Sequence, residues 1–289
     1  MRLISLLFIS CLLIFSTLWT LIRNESERTR EKAPVGTDMI YEYGGLIRTR
    51  VLTPEGFNRT ISPAGSFEFY LRNLPLKPNN TVPKMYNGRN VRRLGAYEAV
   101  VDLAIGDENL HQCADAIIRL RAEYLYLEGQ YEKIHFNFTN GFRVDYSEWI
   151  KGKRIAIKGN RSYWVQSARA SNTYGDLWAY LERVFMFAGT ASLSAELDPV
   201  YAGDIRIGDI LIQGGTPGHA MIIVDKAINP ETGEEIFLLA QSNMPAQEIQ
   251  VLKNRTDQSI SPWFRLGEGN TITSGRWTFT VNELKRFSD

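Results

Sequence analysis

Residues 107–128 of this 289-residue chain read DENLHQCADAIIRLRAEYLYLE, and this stretch decides the fold that we expect. Its apolar side chains recur at spacings of three and four, which is the period of one helix face. Asp107 and Asn109 are suitable N-caps ahead of that pattern. The sequence therefore predicts a helix over residues 110–128, with Cys113 in its first turn.

A second pattern lies in the C-terminal half of the chain. Residues 208–212 (GDILI) lead into residues 217–224 (PGHAMIIV), an apolar strand that opens with His219. Gln241 and Asn243 end the next apolar strand and share one face of it, because strand side chains alternate with period two. Either amide can therefore reach His219, and the sequence leaves open which of them does.

The order of the elements predicts the fold class. Besides the helix that carries Cys113, a strand is expected over residues 133–138 and a helix over residues 176–187. Short strands joined by tight turns are then expected at residues 210–212, 220–224, 236–240, 249–252 and 277–281. Residues 39–76 are interrupted by proline and glycine, which is typical of short strands or turns. Helices followed by an antiparallel sheet indicate the α+β class.

Cysteine, histidine and amide side chains in these positions are what acyl transfer requires. A helix N-terminus stabilises a thiolate at Cys113, and its free N–H groups can hold an oxyanion. His219 is the candidate base, oriented by Gln241 or Asn243. Gln112 is a candidate oxyanion donor and His111 a candidate substrate contact.

Each of these residues also has an ordinary structural interpretation. A single cysteine on a helix face is commonly a small buried hydrophobic residue. A histidine before a strand is commonly a turn residue, and a buried amide is commonly bonded to a neighbouring loop. Tryptophans such as Trp277 are expected to fill the core and its rim. The three signals together favour the catalytic interpretation.

The pairs Gln112-Cys113 and His219-Ala220, followed by Gln241 on the next strand, resemble the CHAP and NlpC branch of papain-like amidases and peptidases. The resemblance implies a papain-like core in which a cysteine-bearing helix packs on an antiparallel sheet. It also implies a cysteine nucleophile, a histidine base and a polar orienting residue acting on peptidoglycan stem or cross-bridge peptides. CHAP-type enzymes more often have glutamate where Gln241 stands. The long interval between cysteine and histidine implies a helical insertion.

The chain is also similar, from residue 39 to its end, to an uncharacterised bacterial family of exported, lipoprotein-like proteins. The segments that carry this likeness are residues 113–125, 188–193, 217–220 and 238–247. That family has no established activity, so the likeness implies a domain of unknown function.

An uncharged apolar stretch at residues 3–22 predicts a membrane segment. A helix of about 20 residues rises about 30 Å, enough to cross the hydrocarbon core. We expect a signal-anchor over residues 1–23, with a lipoprotein signal at Cys11 or an ordinary cleaved signal peptide as alternatives. A polar linker over residues 24–38 and a single domain over residues 39–289 then follow. All three alternatives place that domain outside the cytoplasm, in the periplasm or cell envelope.

Composition narrows the classes of function. The formal net charge is +1 and no long basic block occurs, which argues against nucleic acid as a partner. Three scattered histidines and no metal or phosphate motif predict neither a metal nor an organic cofactor. The expected function is a cysteine amidase or peptidase acting on cell-envelope peptides. The alternatives are a non-catalytic envelope-binding module and a structural membrane-associated protein.

Overall fold

The structure is a computed structural model that describes residues 39–92 and 95–288. The predicted signal-anchor and linker lie outside these residues. Within them, no helix is both long and apolar enough to cross a membrane. The fold is a mixed α/β arrangement of several helices and a mostly antiparallel sheet.

The helices and strands of the described residues are numbered in chain order. The helices are α1 (Ile47–Arg50), α2 (Phe67–Arg72), α3 (Cys113–Leu127), α4 (Tyr146–Trp149), α5 (Tyr174–Phe185) and α6 (Thr190–Glu196). The strands are β1 (Asn58–Arg59), β2 (Tyr97–Val100), β3 (His135–Asn137), β4 (Arg143–Asp145), β5 (Lys153–Lys158), β6 (Arg161–Gln166), β7 (Asp198–Pro199), β8 (Ile210–Gln213), β9 (His219–Ile228), β10 (Glu235–Gln241), β11 (Gln250–Leu252), β12 (Thr271–Ser274), β13 (Trp277–Thr280) and β14 (Leu284–Arg286).

The main sheet is built around β9 and β10. Its strand order is β2-β11-β10-β9-β8-β14-β7, and β1 pairs with the far end of β9. Most residues of β9 and β10 are buried, because both faces of these central strands are covered. In the register of β8 and β9, Gln213 lies opposite His219. The strands predicted at the C-terminal end overlap β8, β9, β10, β11 and β13, and β9 is longer than predicted.

The two faces of the sheet are covered by different elements. Helix α3 packs on β9 and β10, with Ile117 and Leu120 buried in the contact. The opposite face carries an apolar cluster that includes Met221 and Ile223 of β9. Trp277 of the β12–β13 hairpin packs against that cluster. His219 shares the face of Met221 and Ile223, because strand side chains alternate.

Helix α3 begins at Cys113, later in the chain than the sequence predicts. Its N-cap is Gln112, and the predicted caps Asp107 and Asn109 are wrong. The Asn109 carboxamide oxygen instead accepts a hydrogen bond of 2.8 Å from the backbone N–H of Ala246. A tertiary partner thus takes the group that local capping rules assign to the helix.

Residues 39–76 contain two short helices, which the prediction of strands and turns missed. Helix α2 begins after Ser66, whose hydroxyl accepts a first-turn N–H at 3.1 Å. Arg59 and Arg72 of this segment bind the carboxylate of Asp225 on β9 at 2.7 and 2.6 Å. Asp225 is fully buried, so an interior ion pair holds the segment to the main sheet.

The insertion between α3 and β8 is not purely helical, which corrects that prediction. It contains α4, α5 and α6, but also the two-stranded hairpins β3–β4 and β5–β6. Strand β3 is shorter than the strand predicted over residues 133–138. Helix α5 begins and ends earlier than predicted. It begins earlier because the Thr173 hydroxyl caps it by accepting the Asp176 N–H at 3.2 Å.

Candidate functional site

Cys113 is the first residue of α3 and is partly buried. Burial raises the pKa of its thiol above the ordinary value. Hydrogen bonding from the backbone N–H groups of Ala220 and Ala114 acts in the opposite direction and lowers that pKa. Ala220 directly follows His219 in β9. The start of the helix and the start of the strand therefore meet at the sulfur atom.

The imidazole of His219 is held by a side chain of the neighbouring strand. Its Nε2 lies 2.6 Å from Oε1 of Gln241, the last residue of β10. Because an amide oxygen only accepts hydrogen bonds, Nε2 carries the proton and Nδ1 is left with the lone pair. The ring is 2% exposed, so this polar contact lies in the interior. The structure thus brings His219 and Gln241 together at one end of the central strands, and Cys113 approaches this end through the backbone N–H of Ala220.

Trp277 lies flat against the same imidazole. The two ring centroids are 4.9 Å apart and their planes differ by 13°. A tryptophan face attracts a cation, so the stack stabilises an imidazolium as well as fixing the ring plane. The expectation that tryptophans fill the core and its rim did not identify this contact. It depends on how the β12–β13 hairpin folds over β9, which no local pattern reveals.

Gly218 allows His219 to occupy its position. A Cβ atom at this residue would lie 2.3 Å from Oγ1 of Thr190 and 2.4 Å from the carbonyl oxygen of Gly215. Any other residue must therefore displace the backbone at the start of β9. The Pro-Gly-His sequence thus serves a close approach between β9 and the first turn of α6.

Asn243, the other candidate for orienting His219, has a different partner. Its Oδ1 accepts the backbone N–H of Met244 at 2.9 Å. The residue is partly exposed beyond the end of β10. Of the two amides that the sequence left open, the structure places Gln241 against the imidazole.

Gln112 and His111 occupy contrasting environments. Gln112 is partly exposed, and its Nε2 donates to the carbonyl of Asn109 at 3.2 Å. His111 is 1% exposed and meets the ring of Phe185 edge-on, with centroids 5.9 Å apart. Burial lowers the pKa of His111 to about 3, and a nearby arginine, Arg119, adds to that shift. His111 is therefore a neutral interior ring beneath the start of α3.

A cavity of about 450 Å³ opens on the Gln241 side of the site. Gln241 and Trp277 lie in its wall, whereas Cys113 and His219 do not. The other charged and amide residues of the wall are Arg92, Lys253, Arg255, Arg276, Asn243, Gln247 and Gln250. Within the described part of the chain, no carboxylate contributes to the wall.

Metal binding has no candidate cluster in the residues that the structure describes. No group of three or more histidine, cysteine or acidic side chains there is arranged to hold an ion. The polar groups at the site are instead a thiol, an imidazole, an amide and backbone N–H groups, which is a donor set suited to acyl transfer.

These features define a mixed α/β protein in which a histidine and an amide meet at one end of a central strand pair, next to the start of a helix that begins with a cysteine. The chain belongs to the family described as domain of unknown function 4846, whose model matches residues 47–286. This confirms the part of the sequence prediction that assigned a domain of unknown function. Comparisons with curated proteins and with solved structures gave no match. Bacterial origin, a lipoprotein signal and the resemblance to the CHAP and NlpC branch stay predictions.

Proposed function

We propose that this protein is a cysteine amidase or endopeptidase with a papain-like core. The observation that carries the proposal is the 2.6 Å contact between His219 and Gln241, beside a strand start that reaches the sulfur of Cys113. The contact gives one imidazole nitrogen, Nε2, a fixed acceptor, and the proposal assigns the role of base to the other nitrogen, Nδ1. That division of roles is what a histidine needs in order to activate a nucleophile.

In the proposed reaction the sulfur of Cys113 attacks the carbonyl carbon of an amide bond, while Nδ1 of His219 takes the thiol proton. First-turn N–H groups of α3 hold the resulting oxyanion, because the first N–H groups of a helix have no backbone carbonyl partner within it. The Gln112 amide is the proposed additional donor. His219 then gives its proton to the leaving amine, and water hydrolyses the thioester that remains.

Gln241 and Trp277 divide the task of supporting the imidazolium in this reaction. Gln241 fixes the tautomer but is uncharged, so it stabilises the positive ring less than a carboxylate does. The parallel face of Trp277 supplies further attraction for a cationic ring. The raised pKa of the Cys113 thiol favours a neutral resting pair, in which the proton moves during the attack.

The proposed substrates are peptides of the cell envelope, namely the stem or cross-bridge peptides of peptidoglycan. This part of the proposal follows from the resemblance of the motifs around Cys113 and His219 to the CHAP and NlpC branch, and from the apolar stretch at residues 3–22. It places the domain outside the cytoplasm and attached to a membrane. No metal or organic cofactor takes part in the proposed chemistry.

One observation favours a second candidate, a non-catalytic envelope-binding module. The open cavity is lined by Gln241 and Trp277 but not by Cys113, and burial raises the pKa of the thiol. A binding module uses the cavity and has no need of the sulfur. It predicts ligand binding that is unchanged in Cys113→Ser.

The pH dependence of thiol alkylation separates the two candidates. We would treat the full chain, carrying Cys11→Ser so that Cys113 is its single thiol, with iodoacetamide from pH 5 to 10. For the enzyme we expect a rate that inflects below pH 8, because neutral His219 takes the thiol proton as the sulfur attacks the reagent, and we expect this inflection to be lost in His219→Ala. His135→Ala is the matched control and is expected to keep it. Alkylation that occurs only in denaturant would contradict the enzyme and favour the binding module.

A further inference from the structure

The cavity beside Gln241 is built from positive charge and amide groups. Arg92 precedes β2, Lys253 and Arg255 follow β11, and Arg276 lies in the turn between β12 and β13. Four cations from three separate segments therefore converge on one space of about 450 Å³. A pocket of this volume suits a small ligand or part of a peptide.

Little negative charge within the protein offsets these cations. Lys253 lies 3.2 Å from the carboxylate of Glu98. Arg92, Arg255 and Arg276 have no ion-pair partner among the residues for which the structure gives positions, and all three are exposed. Their guanidinium groups are thus available to a ligand, and each can bind a carboxylate through two parallel hydrogen bonds.

Buried amides in the same cavity wall add to the donor set. Gln247 is 6% exposed and Gln250 is 4% exposed, so their polar ends are fixed by packing. The Nε2 of Gln250 donates to the carbonyl of Glu248 at 3.3 Å, which orients its carboxamide. Cations combined with fixed amide donors recognise oxyanions through both charge and geometry.

The origin of the cations in three separate segments of the chain favours several separate anionic groups over a single one. A single phosphate is usually held by a helix N-terminus or a compact nest of backbone N–H groups. This wall instead distributes its cations over three segments, and none of them lies at the start of a helix. Carboxylates on successive residues of a short peptide match such a distribution.

We propose that this cavity binds the carboxylates of a short acidic peptide and so selects acidic substrates for the neighbouring cysteine site. The inference rests on the proposed function for the peptide nature of the occupant. Trp277 joins the two regions, because it lines the cavity and stacks on His219. Arg276 also lies over the Trp277 ring, 5.1 Å from its centroid. An occupant that contacts Arg276 therefore lies within one side chain of the catalytic imidazole.

Binding is best measured on a full chain that cannot turn over, namely Cys113→Ser. The probes are triglutamate, its neutral counterpart triglutamine, and inorganic phosphate. Their binding is measured by calorimetry and by tryptophan fluorescence. We expect the affinity for triglutamate to exceed that for triglutamine by about tenfold or more, and to fall as salt is added. Adding Arg255→Gln and Arg276→Gln together is expected to weaken triglutamate binding by about tenfold or more.

Two further variants make that result specific. Arg161→Gln removes an exposed arginine of the β5–β6 hairpin that does not line the cavity, and it is expected to bind as before. Arg276→Lys keeps the charge and is expected to retain most of the affinity. Equal binding of triglutamine, or an unchanged affinity in the double variant, would overturn the proposal. Displacement of triglutamate by phosphate at equal concentration would identify a phosphate site instead and would overturn it too.

The binding result and the alkylation result can fail independently. Triglutamate binding with an unreactive Cys113 leaves the acidic-peptide site in place and removes the hydrolase. A reactive Cys113 without triglutamate binding leaves the hydrolase and removes the acidic selectivity. The two experiments therefore test different residues.

Discussion

At the scale of single residues, His219 shows how a polar ring is kept in an apolar interior. The imidazole is 2% exposed, yet one of its nitrogens is satisfied by Gln241 and one of its faces is covered by Trp277. Loss of the acceptor of a buried donor destabilises the folded protein more than loss at an exposed donor, because water does not replace the missing partner. The stability of the site therefore depends on the Gln241 side chain.

Replacing Gln241 with leucine removes that acceptor while keeping an apolar side chain of similar size. We expect Gln241→Leu to lower the free energy of unfolding by about 1–3 kcal/mol, as measured by urea denaturation at neutral pH. Gln241→Glu keeps an oxygen acceptor and is expected to lose less. An unchanged unfolding midpoint in Gln241→Leu would show that Nε2 of His219 does not depend on this contact.

The residues of the candidate site differ in how far the sequence reveals them. Cys113, His219 and Gln241 stand where apolar periodic segments begin or end, so local patterns indicate all three. Trp277 is linked to His219 only through the folded hairpin. No local pattern indicates the cationic cavity for the same reason, because its arginines and lysine are scattered through the chain and meet only in three dimensions.

At the scale of elements, the first turn of α3 contains a second unusual group. Asp115 is 6% exposed, and its Oδ2 accepts the backbone N–H of Gln112 at 3.0 Å. Its other oxygen has no hydrogen-bond partner in the part of the chain that the structure describes. Burial raises the pKa of Asp115 to about 7. The helix start therefore holds a carboxyl group that is protonated in mild acid.

This raised pKa makes stability depend on pH in a definite direction. The folded protein binds the Asp115 proton up to about pH 7, whereas the unfolded chain releases it near pH 4. The stabilisation of the folded protein by the Asp115 proton is therefore complete below about pH 4. It is lost as pH rises through 7, by at most about 1.4 kcal/mol per pH unit. Asp115→Asn is expected to flatten this decline in urea denaturation from pH 4.5 to 8. Asp107→Asn, at an exposed position before the helix, is the control and is expected to leave the profile unchanged.

The helices and strands, like the site residues, differ in how well the sequence predicts them. The strands β8, β9 and β10 are long apolar runs bounded by turn residues, so their existence follows from composition alone. Helices α1 and α2 span only four and six residues, too few for a helical period to stand out. The start of α3 was misplaced because Asn109 bonds to Ala246, a partner that only the folded chain brings close.

At the scale of the whole molecule, Asp225 joins segments that are distant in the chain. It lies fully buried in β9, and two arginines from residues 39–76 converge on its two oxygens. Arg72 is itself 7% exposed, so most of this cluster is removed from water. A carboxylate shared by two cations in the interior fixes where the N-terminal segment lies on the sheet.

Removing Asp225 leaves two guanidinium groups facing a buried position without a counter-charge. We expect Asp225→Ala to lower the free energy of unfolding by about 3–5 kcal/mol, because an unpaired interior charge costs much more than its pair contributes. Urea denaturation gives the loss, and limited proteolysis is expected to show cleavage first within residues 39–76, which the ion pair holds in place. Arg143→Ala is the matched control, since it breaks the exposed pair with Asp145 and is expected to cost at most about 1 kcal/mol. Equal losses in the two variants would mean that the N-terminal segment is held to the sheet by apolar packing and that the buried ion pair adds nothing beyond a surface pair.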